Sequence, residues 1–294
     1  MLFALKIKTL VAAAVVAGPV AVSAVSLGGR THSPGAGVTV PETVEVAPGA
    51  FRHRAAGDYT RDGAPAAAPV TEVRFVHPLR IMRDQVSAGD YQRCVAAGVC
   101  APADGDRGDL PAVQVSWRDA SAYASWLSRA TGVHFRLPTD EEWAYAAGER
   151  FNDDAAAYPT DPGQRALARY ERETARNDAL AQDPQPIGAF GANANGLLDV
   201  AGNVWEWTDS CFRRGVLDAA GQPHGPATMN CGVRVVEGRH RTYVTDFIRD
   251  TRAGGCAAGT PPTHLGFRLV REDDMPAVAA RVFDRIRTLV GRLV

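Results

Sequence analysis

Apolar positions recur at helical steps in three stretches and at even steps in several others. From Ser87 to Ala97, Tyr91 and Val95 fall on one face, which predicts a helix capped by Ser87 and ended by Gly98. Trp117, Ala120, Tyr123, Ala124 and Leu127 form one stripe. They predict a helix over 117–130, capped by Ser116 and stopped by Gly132. Thr139 opens a third helix, Asp140 to Ala147, and Thr139 with Glu142 has the spacing of a capping box. Extended segments are predicted for Val44–Phe51, Val70–Ile81, Arg136–Pro138, Pro184–Phe190, Val233–Val236 and Gly266–Val270. A further helix is predicted over Arg165–Asn177. Short elements joined by long loops predict an α+β fold, a single domain over residues 42–272.

The two ends differ from this interior. Lys6 and Lys8 precede an apolar run, Thr9 to Ala24, and Val22-Ser23-Ala24 has the small residues of a cleavage site. Residues 1–24 read as a signal peptide, so the expected location is periplasmic or secreted, with an uncleaved N-terminal membrane anchor as the alternative. No twin-Arg pair precedes the run. Residues 25–41 are rich in Gly, Ser, Thr and Pro and read as a flexible lead-in. At the other end, residues 273–294 read as an amphipathic helix carrying Arg281, Arg285, Arg287 and Arg292. It either docks on its own domain or touches a membrane surface or a partner.

A formal net charge of −1 leaves no electrostatic footprint for nucleic acid. Five cysteines in an exported chain imply disulfides and a remainder. Cys94 and Cys100 flank a five-residue loop, and Cys211 and Cys231 bracket a Gly- and Pro-rich insert; each pair suits a bridge. Cys256 is left over, as a buried thiol or a reactive one.

The run Gly196–Thr208 holds two Trp, Asp199, Glu206 and the pair Gly202-Asn203. That mixture predicts a tight irregular turn at 202–203, where positive φ is cheap. Such a turn either aims Asp199, Glu206 and nearby carbonyls at a hard cation such as calcium, or buries its aromatics with the two acids at a solvated edge.

Three stretches carry a family resemblance: Arg136-Leu-Pro-Thr-Asp-Glu-Glu-Trp-Ala-Tyr-Ala-Ala147, Gly196-Leu-Leu-Asp-Val-Ala-Gly-Asn-Val-Trp-Glu-Trp207 and Leu265-Gly-Phe-Arg-Leu269. Together with Val46–Phe51, Val86–Tyr91 and Val113–Ala120, they resemble the sulfatase-modifying-factor family, the domain of formylglycine-generating enzymes. The resemblance implies an irregular, loop-rich, C-type-lectin-like fold stabilised by calcium. It places structural calcium on Asp199, on the carbonyls of Gly202 and Val204, and on Glu206. It places a second calcium near Asn177, Asp178 and Asp183.

The resemblance also exposes a departure. Formylglycine-generating enzymes hold copper(I) on two cysteines after a Gly-Gly-Ser turn. Here Thr242 and Phe247 align with those cysteines and Arg239 with the serine, so the copper bis-thiolate site is missing and sulfatase activation is not expected. The same segment offers Arg239, His240, Arg241, Tyr243, Asp246, Arg249 and Asp250 as a polar cleft for an anionic or peptide ligand, with His240 as acid–base group or redox-metal ligand. Two functions are implied. One is maturation or modification of a periplasmic protein or peptide, as in the pyoverdine-maturation branch. The other is a non-catalytic accessory role, as in the nitrite-reductase accessory branch. Carbohydrate binding follows from fold analogy alone.

Overall fold

The computed structural model describes residues 37–103, 107–153, 161, 163–164, 167–168, 171, 183–249 and 264–273. The predicted signal peptide, the C-terminal helix, Cys256, Asp250, Asn177 and Asp178 lie outside the described residues, as does almost all of the helix predicted over 165–177.

The three predicted helices form where their caps place them. Helix α1 (Ala88–Ala96) begins at Ser87, whose side chain accepts from the Asp90 N–H. Helix α2 (Trp117–Thr131) has a complete capping box between Ser116 and Asp119 and ends on Gly132 at φ 75°. Helix α3 (Asp140–Ala147) has the expected box between Thr139 and Glu142. Each cap satisfies N–H groups that the first turn leaves open.

Among the described residues the strands make three sheets. The first orders β1 (Thr43–Val46), β6 (Leu79–Met82), β12 (Val270–Glu272) and β7 (His134–Arg136). The second orders β10 (Thr242–Thr245), β9 (Thr228–Glu237), β8 (Trp205–Leu217), β3 (Asp58–Arg61) and β4 (Ala64–Ala66), with β11 (Leu265–Gly266) pairing β8 in parallel. The third is the pair β2 (Gly49–Arg54) and β5 (Val70–Phe75). The strand expected over 44–51 is thus two strands in two sheets, parted at Ala47-Pro48.

The main core lies between α1, α2 and the start of β8. It contains Tyr91, Tyr123, Leu127, Trp207, Phe267 and Leu269, all nearly solvent-free. Tyr123 meets Phe267 edge-on at 5.4 Å and stacks on Tyr91 at 5.8 Å. A second core joins Val46, Leu79, Ile81 and Val270 of the first sheet to Trp143 and Ala147 of α3. Two bridges staple the loops: Cys94 to Cys100 at the end of α1, and Cys211 to Cys231 across β8 and β9.

Two local expectations are corrected. Residues 187–190 form a turn rather than an extended run. Gly188 sits at φ 95°, and the Asp199 carboxylate accepts from the N–H groups of Gly188 and Phe190 at 2.5 and 2.8 Å. In the 199–203 turn, Asp199, Ala201 and Asn203 take the positive φ, and Gly202 does not. Gly202 answers a space requirement instead, because a Cβ there would approach the Phe190 ring at 3.1–3.2 Å.

Candidate functional site: two opposed glutamates and a closed ionic segment

Strand β8 begins directly after the 196–204 turn. Its second residue, Glu206, pairs in register with Glu237, the last residue of β9. Like charges opposite one another across a ladder repel. Each glutamate is almost wholly buried, and each is stabilised differently.

Glu206 is neutralised by a guanidinium. Arg268 donates Nε–H to Oε2 at 2.6 Å and Nη2–H to Oε1 at 2.8 Å. Trp143 of α3 donates to Oε2 and Gln85 to Oε1, each at 2.8 Å. Both members of the Arg268–Glu206 pair are fully removed from solvent.

Glu237 lies in a four-member cluster. Arg241 donates to it at 2.6 Å and lies 3.2 Å from Asp140 Oδ1. His53 of β2 places Nε2 2.9 Å from Asp140 Oδ2 and 3.1 Å from Arg241 Nη2. The Asp140 N–H is held by the Ser210 hydroxyl at 2.9 Å. Burial raises the Glu237 carboxyl well above its ordinary range, and the Asp140 charge adds to this, outweighing Arg241. Burial also acts to raise Asp140, but Arg241 and the hydrogen bonds from His53 and Glu237 outweigh it and hold that carboxyl below its ordinary range. The two carboxyls of the cluster are thus pushed in opposite directions, Glu237 toward its protonated form and Asp140 toward its charged form.

The predicted polar cleft is not gathered at one point. Arg241 joins the buried cluster just described. Tyr243 turns toward β3, its hydroxyl accepting from the Gly57 N–H at 2.6 Å and its ring meeting Phe212 edge-on at 5.0 Å. Asp246 and Arg249 reach the start of α2. Arg118 donates to Asp246 at 3.0 and 3.3 Å. Arg249 grips both oxygens of Asp119 at 2.7 and 2.5 Å and donates to the Pro102 carbonyl. His240 and Arg239 pack around Trp205: the His240 carbonyl accepts from the indole N–H at 3.2 Å, and the Arg239 guanidinium lies 5.7 Å from the ring. Arg234 was missed by the sequence reading. It stacks 3.7 Å over the Trp117 ring, and burial lowers its pKa to about 10.

Thr242 and Phe247, which the resemblance sets against the copper cysteines, diverge as well. Thr242 is fully buried in β10 opposite Val236, whereas Phe247 is 60% exposed.

The predicted calcium ligands divide similarly. Val204 O and Glu206 Oε1 both face the Gln85 amide, at 3.5 and 2.8 Å. The Asp199 carboxylate faces the 188–190 turn. With Glu206 held by donors on both oxygens, this donor set does not fit an open calcium cage. Asp183, a candidate for the second calcium, is exposed.

The sulfatase-modifying factor enzyme 1-like domain model matches residues 30–273. The chain belongs to that family. Its relatives include the formylglycine-generating enzyme of Streptomyces coelicolor, 30% identical over 197 residues, covering 60% of this chain and 59% of the relative. The Mycobacterium tuberculosis formylglycine-generating enzyme is 34% identical over 194 residues, covering 57% and 59%. The inactive C-alpha-formylglycine-generating enzyme 2 of Mus musculus is 33% identical over 177 residues, covering 57% and 51%. The chain thus spans between half and three fifths of the length of these relatives. PvdO from Pseudomonas aeruginosa has the same fold, with a TM-score of 0.50 and 24% identity over 79% of this chain and 95% of that one. The fold is therefore the C-type-lectin-like fold of this family.

Proposed function

We propose that this family member is exported, and that it acts in the maturation or modification of a periplasmic protein or peptide without copper–thiolate oxidation. One observation carries this reading. The family resemblance sets Thr242 and Phe247 against the copper cysteines, and of these two residues one lies inside a strand and one on the surface. Neither side chain offers a soft ligand for copper(I). All four cysteines among the described residues are paired in disulfides. Those bridges also suit an oxidising compartment, and no helix among the described residues is long and apolar enough to cross a membrane.

A non-catalytic accessory role is the second reading, favoured by the ionic closure of the segment. Arg241, Asp246 and Arg249 are each tied to protein groups rather than presented to a ligand. An inactive relative in the family is consistent with that role.

The test is to incubate the purified chain with copper, oxygen and a cysteine peptide accepted by an active relative. Mass spectrometry should recover the peptide unmodified. Conversion of its cysteine to formylglycine would overturn the reading.

A further inference from the structure

We propose that the Arg268 guanidinium is the resident cation beside the 196–206 turn, so that the fold here needs no calcium. Donors and acceptors match one for one at this point. A guanidinium has five N–H donors and a carboxylate about four lone-pair sites. Arg268 directs Nε to Glu206 Oε2, Nη1 to the carbonyls of Met82 and Arg83, and Nη2 to Leu198 O and Glu206 Oε1. All five directions are used.

Glu206 is equally full. Its four lone-pair sites receive two N–H groups from Arg268, one from Trp143 and one from Gln85. Three carbonyls and one carboxylate are the kind of oxygen set that binds a hard cation. Here a guanidinium fills it. The group joins the end of β6, the turn at Leu198 and the start of β8, which is the cross-linking work a structural ion performs. A calcium ion at Glu206 would have to expel a guanidinium with no solvent exposure, and it would then lie beside that group's positive charge.

Asp199 completes the arrangement without a metal. Its carboxylate accepts from two N–H groups of the 188–190 turn and fixes that turn against the 199–203 loop.

The test uses the full chain, stripped with chelator and compared with the same protein in millimolar calcium. Thermal unfolding and calorimetric titration with calcium alone are the readouts. The expected result is one melting temperature in both conditions and no stoichiometric heat. A melting temperature lowered by chelator, restored by one equivalent of calcium and unresponsive in Glu206→Gln would overturn the proposal. Should that variant fail to fold, the parent protein's response to chelator decides alone.

Discussion

Glu206 and Glu237 are direct partners across the β8–β9 ladder, and both are buried. The fold accommodates them by making one an ion pair and favouring the protonated form of the other. Arg268 answers the first; burial and the Asp140 charge raise the second. This asymmetry gives the chain a readable pH signature.

Glu237 holds its proton more tightly folded than unfolded. A raised carboxyl of this kind contributes stability that is fully present below its unfolded value, 4.5. That contribution is lost as pH rises toward the folded value. Glu237→Gln keeps a neutral donor and acceptor in place, so it should melt higher than the parent above that pH, by a margin that grows toward neutrality. The two should converge near pH 4. Thermal melts across pH check this, and a variant less stable than the parent at pH 7 would contradict it.

Glu272 has the opposite sign. The hydrogen bond from His134, with Arg136 beside it, lowers its pKa to about 2. Its stabilisation is present above its unfolded value of 4.5 and is lost as pH falls through about 2. Glu272→Gln should flatten the acid limb of the stability curve. An acid limb as steep as the parent's would contradict the assignment.

Asp140 anchors both His53 and Arg241. Replacing it by Asn removes the charged carboxylate beside Arg241 and should cost about 3–5 kcal/mol, the range for breaking a buried pair. Urea unfolding measures it. A loss under about 1 kcal/mol, the range of an exposed pair, would mean the cluster is solvated.

The Cys211–Cys231 bridge closes a segment with a sequence separation of 20. Chain entropy gives a bridge of that span about 3 kcal/mol. Mass mapping without reduction should recover Cys94 with Cys100 and Cys211 with Cys231. Finding Cys211 free would contradict the fold around β8.

Local signals were legible and distant ones were not. Ser87, Ser116, Thr139 and Gly132 marked three helices because a cap acts within one turn. Strand β8 was missed because its alternation is broken by register shifts between Trp207 and Cys211 and between Cys211 and Phe212. Asp140 read as a favourable charge at a helix start, yet its side chain meets His53, 87 positions earlier. Nothing local encodes that contact. Arg268 did leave a signal: a lone charge between Phe267 and Leu269 in an apolar run calls for a buried partner. The polar segment 239–249 reads as one cleft in the sequence because its residues are adjacent along the chain, and adjacency along the chain does not make side chains converge in space. Side chains along a strand and its flanking turns point different ways, and the segment supplies four separate neighbourhoods.

The most direct measurement of the central claim is a copper(I) titration of the purified chain against a competing chelator, with its disulfides intact. Thr242 and Phe247 offer no thiolates and Cys256 supplies only a single thiol, so the predicted result is no copper(I) bis-thiolate complex. One tightly held equivalent with a two-thiolate signature would contradict the account.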